Sequence, residues 1–255
     1  MGCGTCLCEV GQVHCSAGRR DGIPLSVVRH LPVCLELRRR GVVRLSHCLF
    51  RQRGAVACTL RGASNVAYDL YDDPAFVDDL LSFITEATIR RRRACRKLAG
   101  RPLLDSMFYF ADDAIEWLSP SMDEQFVLPH HKRMVDEFRG EKNLIHLCGD
   151  PAHLFPTIVE HLGISVFDLG FPTDMGEARR QLGPDITLIG NIAPSLLLSG
   201  PPAAIREAVR QLCSSGVMEG GRFILHDGNN CVPLTPVAHF REMYEAGKKF
   251  GLYHR

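Results

Sequence analysis

From about residue 104 to residue 250 the chain alternates short apolar runs with longer stretches of helical spacing, and this alternation restricts the fold more than any other feature. Leu104 to Phe110, Leu144 to Leu147, Ile164 to Leu169, Ile186 to Ile189 and Phe223 to Leu225 read as strands, because each is short, apolar and bounded by turn formers. Between and after them, helical patterns cover Met122 to Phe138, Ala152 to Leu162, Met175 to Leu182, Pro202 to Cys213 and Pro236 to Phe250. Short apolar strands separated by helices predict a parallel sheet buried on both faces. Five such units in succession suit an α/β fold of the (β/α)8 TIM-barrel type better than a small open sheet. A closed barrel needs eight strands and no free edge. With a sixth strand expected around Ala55 to Leu60, the barrel is expected to be incomplete on its N-terminal side.

Residues 1–55 have a different character. They are rich in Arg, Cys and Gly, and their only acids are Glu9, Asp21 and Glu36. Of the 11 cysteines, seven precede residue 60. The odd total and the lack of a secretory signal argue against a disulfide framework. Cys3-x-x-Cys6-x-Cys8 with His14-Cys15 offers metal ligands, but the spacing has no second paired half. The segment is therefore read as an irregular leader, poorly ordered or non-native, ahead of a barrel domain over 56–255. The net charge of +1 gives no electrostatic case for nucleic acid or an anionic membrane. No run is long and apolar enough for a transmembrane helix, so a cytoplasmic location is expected by default.

Chemistry concentrates where strands end. His146-Leu147-Cys148-Gly149 closes the second of the five strands. Residues i and i+2 of a strand point to the same side, so an imidazole and a thiol can reach one point. Neutral imidazole and thiolate are preferred zinc donors. The other strand ends carry Asp112-Asp113, Asp168, Gly190-Asn191 and Asp227-Gly228-Asn229-Asn230-Cys231. All would fall on the catalytic face of a barrel. Turn chemistry alone accounts for the glycines and prolines of such loops, but less well for His, Cys, Asp and Asn gathering together.

These motifs, in this order, resemble the uroporphyrinogen decarboxylase superfamily. The landmarks are Leu70-Tyr71-Asp72-Asp73-Pro74, Leu118-Ser119-Pro120, Pro129, His146-Leu147-Cys148-Gly149, Gly190-Asn191-Ile192-Ala193-Pro194 and Pro233-Leu234-Thr235-Pro236. The resemblance implies one of two chemistries. One branch decarboxylates the acetate arms of a tetrapyrrole without a metal. The other moves a methyl group from a corrinoid on a partner protein to a small thiol such as coenzyme M, using zinc. The His-x-Cys pair resembles the methyltransferase branch, which makes zinc the implied cofactor and His146, Cys148 and Cys231 the implied ligands. Asn229 stands where that branch has its third ligand, a Cys; Cys231 lies two residues nearer the Pro-x-Thr-Pro signature and is the substitute. Asp112, Asp113 and Asp168 are the catalytic candidates, and Asn191 and Asn229 the cofactor-binding ones. The alternatives are a uroporphyrinogen decarboxylase, for which Asp112 or Asp113 would orient pyrrole N–H groups, and a non-catalytic, shortened member.

Several residues are expected to be structural. Asp72-Asp73-Pro74 is a helix start, followed by an apolar face of Phe76, Leu80, Leu81, Ile84 and Ile89, and Arg90 to Arg93 form a solvated face. His130-His131 cap or cover a helix start, and His153 and His161 are surface or packing residues. Asn191 also suits fixing a loop by hydrogen bonds. Cys95 and Cys213 fill space and Trp117 packs a loop.

Overall fold

The computed structural model describes residues 53–104 and 106–253. The leader reading and its Cys3/Cys6/Cys8 spacing lie outside the described residues. The stretch expected to be a sixth strand is helical: α1 is Arg53–Arg61, followed by α2, Ala63–Asp72. Ala55 to Leu60 is apolar but has no period-two pattern, and alanine favours helix. Ala57 is completely buried, and its lack of bulk suits a close helix contact. The Asp73 carboxylate caps α3 (Pro74–Leu98) by accepting from Phe76 N at 3.1 Å, with Pro74 in the first turn. Val77, Leu81, Ile84 and Ile89 are its buried stripe, whereas Phe76 is partly exposed. Arg90 and Arg93 form exposed ion pairs with Glu86 and Glu137. Arg92 departs from the solvated-face reading: it is buried, with its guanidinium 4.7 Å and 4.9 Å from the ring centroids of Phe108 and Phe138.

Five parallel strands follow: β1 Met107–Ala111, β2 Lys142–Gly149, β3 Val166–Pro172, β4 Thr187–Ile192 and β5 Phe223–Asp227. Their spatial order is their sequence order, β1-β2-β3-β4-β5. Right-handed crossovers that always step to the same side keep their helices on one face and curve the sheet into a barrel wall. A doubly wound sheet would instead reverse its order at a switch point. The connecting helices are α4 (Leu128–Phe138), α5 (Phe155–Leu162), α6 (Met175–Leu182), α7 (Pro194–Ser199), α8 (Pro202–Ser214) and α9 (Val237–Phe250). The five described strands make part of a (β/α)8 barrel. No described helix is long and apolar enough to cross a membrane.

The two faces of the sheet are set by alternation. Phe108 and Phe110 meet Phe138 and His131 of α4, and Phe167 meets Phe155 of α5. These rings share one core with Ile145, Leu147, Leu169 and Leu188, so this is the helix-covered outer face. The pairing register then places Ala111, His146, Asp168, Ile189 and Ile224 in one row on the inner face. Burial on both faces is only partly met. Leu144 and Val166 are buried on the inner side, but Met107 and Ile224, on the two outermost strands, are 42% and 50% exposed. At the opposite end of the strands from their polar exits, Arg179 of α6 is 2% exposed and donates to the carbonyls of Gly183, Ile186, Val217 and Arg222. It thereby ties together the chain just before β4 and just before β5.

Candidate metal centre

β2 presents His146 and Cys148 on the inner face at its C-terminal end, as the i/i+2 spacing requires. Cys148 Sγ lies 3.2 Å from His146 Nε2. The other ring nitrogen, Nδ1, donates to Asp168 Oδ2 at 2.9 Å. Register explains this contact, since His146 and Asp168 are paired neighbours on β2 and β3. Asp113 enters from the 3-10 turn Asp113–Trp117 that follows β1. Its Oδ1 accepts from Cys148 N at 2.8 Å and lies 3.8 Å from His146 Nε2. One donor atom each from Asp113, His146 and Cys148 fall within 4.8 Å of one another. From the β5 exit, Asn229 Nδ2 donates to Cys148 Sγ at 2.9 Å. Gly170 makes room for the sulfur, because a Cβ there would stand 2.7 Å from it.

The charge balance around the imidazole is uneven. Burial opposes a charge on His146, but the hydrogen bonds to Asp168 and Cys148, reinforced by their charges, outweigh it and push its pKa up to about 10. Tyr109, in the same inner-face series, responds in the same direction. Burial, then the charges of Asp168, Asp113 and Cys148, push its phenol up to about 12.

These donors fit zinc. Zn–S near ~2.3 Å and Zn–N near ~2.0 Å at a tetrahedral angle put the two donors about 3.5 Å apart, close to the 3.2 Å separation of sulfur and Nε2. A carboxylate holding the far nitrogen of a ligand histidine is the usual outer support of such sites. Three protein donors leave a tetrahedral position open.

The remaining candidates lie elsewhere. Asp112 is wholly buried, with Oδ2 3.1 Å from His131 Nε2. It continues the outer-face phase of Phe108 and Phe110, so it turns away from Asp113 and the cluster. Cys231 is exposed; its thiol donates to Val232 O at 3.7 Å, and it is not in the three-donor group. The two-residue offset from Asn229 does not preserve facing here, because 228–232 is not strand. Asn191 is buried and donates to Gly170 O and Thr173 O, fixing the loop after β3. His226 bonds the main chain and side chain of Asp227. Of the two roles expected for His130 and His131, capping is not met: both are buried in the first turn of α4, which they cover. Trp117 is 61% exposed, contrary to the packing role expected of it. Two further residues beside the cluster carry little signal in the sequence. Tyr109 was discoverable as the second residue before Ala111 on one strand face. Glu116 was discoverable only by knowing that a 3-10 turn follows β1.

An α/β barrel wall with an N/S/O donor cluster at its strand exits defines the class. Residues 55–250 match the family model described as uroporphyrinogen decarboxylase (URO-D), and the chain belongs to that family. A uroporphyrinogen decarboxylase from Coxiella burnetii (strain Dugway 5J108-111) is 29% identical over 188 residues, 72% of this chain and 50% of the relative. Another from Gloeobacter violaceus is 33% identical over 134 residues, 51% of this chain and 38% of the relative. The chain thus spans half or less of the length of these two relatives. Among solved structures, a methyltransferase from Methanosarcina mazei superposes with a TM-score of 0.68 at 18% identity. That match covers 90% of this chain and 68% of the other, and shows a shared fold.

Proposed function

We propose that this chain is a zinc-dependent methyltransferase of the family, passing a methyl group from a corrinoid carried by a partner protein to a small thiol. The observation that carries the reading is the 3.2 Å approach of Cys148 Sγ to His146 Nε2, with Asp168 on the far ring nitrogen. His146, Cys148 and Asp113 would hold the ion. Bound zinc supplies a Lewis acid that keeps a small acceptor thiol deprotonated at neutral pH. Asp168 fixes the imidazole with its proton on Nδ1, leaving Nε2 as donor. Asn229 directs its amide N–H at the Cys148 sulfur and so helps to fix its position. Neutral Tyr109 adds no charge to a site already rich in acids.

The names of the sequence relatives favour a second reading, tetrapyrrole decarboxylation, in which Asp113 would orient pyrrole N–H groups. That reading has no use for the His–Cys pair. The two are separated by metal analysis and assay of the full chain. The methyltransferase reading expects about one zinc per chain, absent from the His146→Ala/Cys148→Ser variant, and methyl transfer from methylcobalamin to a small thiol. A freshly folded protein with no zinc, turning over uroporphyrinogen after chelator treatment, would decide for the decarboxylase.

A further inference from the structure

β1 ends at Ala111, yet β2 runs on to Gly149. The last main-chain bond between them is Asp112 N to His146 O, at 3.1 Å. Beyond it, the next β2 donor facing β1 is Cys148 N–H, since alternate amides of a strand point the same way, and Asp150 N–H follows immediately past the strand's last residue. A main-chain partner from β1 is replaced at both by a carboxylate. Cys148 N donates to Asp113 Oδ1 at 2.8 Å, and Asp150 N to Glu116 Oε2 at 3.1 Å. The spacing has a simple cause. Asp113 and Glu116 are three residues apart in a 3-10 turn, where i and i+3 eclipse and present side chains along one line.

Glu116 is itself held. The Trp117 indole N–H donates to Oε1 at 3.1 Å, which leaves Oε2 for Asp150. The His153 ring bonds Leu118 O at 2.8 Å, tying the end of the turn to the segment beyond β2. Space is reserved for the carboxylate as well. Gly149 has φ of +80°, and a Cβ on it would fall 1.4 Å from Glu116 Oε2. On the β3 side, the Thr173 hydroxyl donates to Gly149 O at 2.7 Å. The β2 exit is therefore strapped on both edges, and Cys148 sits between the straps.

We infer that Glu116 is a positioning residue that, with Asp113, extends the β1–β2 ladder by two carboxylate rungs and so fixes the Cys148 sulfur against His146. The strap itself needs no metal; its effect on zinc rests on the function proposed above. Three single variants of the full chain separate reach from charge. Glu116→Gln keeps an acceptor at the same reach and loses the charge. Glu116→Asp keeps the charge and falls short by one methylene. Glu116→Ala loses both. Two quantities are read for each: amide exchange of the peptide spanning 147–151 without metal, and zinc affinity by chelator competition.

The strap predicts that Ala and Asp raise exchange in that peptide about fivefold and weaken zinc about tenfold, while Gln stays near the wild type in both. An Asp variant that behaves as wild type, with Gln behaving as Ala, would mean that Glu116 acts through charge and would overturn the inference. Unchanged exchange in Ala and Asp would also overturn it, as would raised exchange with unchanged zinc affinity. Wild-type protein that binds no zinc, with the exchange pattern as expected, would remove the metal reading and leave the strap standing.

Discussion

On the outer face of the sheet His131 Nε2 lies 3.1 Å from Asp112 Oδ2; on the inner face His146 Nδ1 lies 2.9 Å from Asp168 Oδ2. The residue types and distances nearly match, but the surroundings do not. The outer pair is sealed, with side-chain exposures of 2% and 0%, and the His131 ring sits against Phe110. The second ring nitrogen of His131 is buried with no hydrogen-bond partner among the described residues. The inner pair keeps exposures of 13% and 21%, and its second ring nitrogen points at a sulfur and a carboxylate. A His–Asp pair is thus a poor marker of function by itself. What the second nitrogen faces separates a sealed packing device from a group with other donors beside it.

Substitutions can break this contrast, and the largest effect is expected on the outer side. Asp112→Ala removes the hydrogen-bond partner of a buried imidazole nitrogen and leaves a void, at a cost of about 1–3 kcal/mol or more. Urea unfolding should register that loss while zinc stoichiometry stays at the wild-type value; a loss of metal with unchanged stability would reverse the assignment of the two faces. Asp168→Asn should do the opposite, weakening zinc about 10- to 100-fold in chelator competition with little change in the unfolding midpoint. Equal zinc affinity in that variant would show that the Nδ1 bond does not tune the ligand.

The smallest effect concerns pH. Tyr109 has its pKa pushed up to about 12 in the fold, whereas in an unfolded chain it ionises near 10. Between those values the folded protein holds the extra proton, so stability falls as pH rises from about 10 to about 12. Tyr109→Phe should flatten the decline in denaturation midpoint across that window. An identical slope in wild type and variant would locate the decline elsewhere.

Much of the fold could be read in advance, because buried strands and amphipathic helices carry different periods. Met175–Leu182 was bounded correctly, and the five strands were all located. Strand ends were read short, since Gly149, Pro172 and Asp227 are held in the sheet by backbone pairing that side-chain hydropathy does not reveal. Residues 55–60 give no decisive signal, because a brief Ala/Cys/Leu run has no clear period. Within the site, His146 and Cys148 were legible as an i/i+2 pair on one strand. The choice between Asp112 and Asp113 was not, because both follow the last apolar residue of β1 and only the packing of Phe108 and Phe110 sets the phase. Asn229 was noted for its place before the Pro-x-Thr-Pro signature, but its bond to Cys148 spans the sheet and leaves no local trace.

The opposed facing of Asp112 and Asp113 has an evolutionary corollary. Core and site are written on alternate positions of the same few residues, so both depend on a single phase. Deletion or insertion of a single residue in β1 would bring a core-facing acid toward the cluster and drive its partner into the apolar layer. Point substitution can therefore alter this chemistry without disturbing the core, whereas length variation near the exit of β1 is tolerable only in the turn that follows.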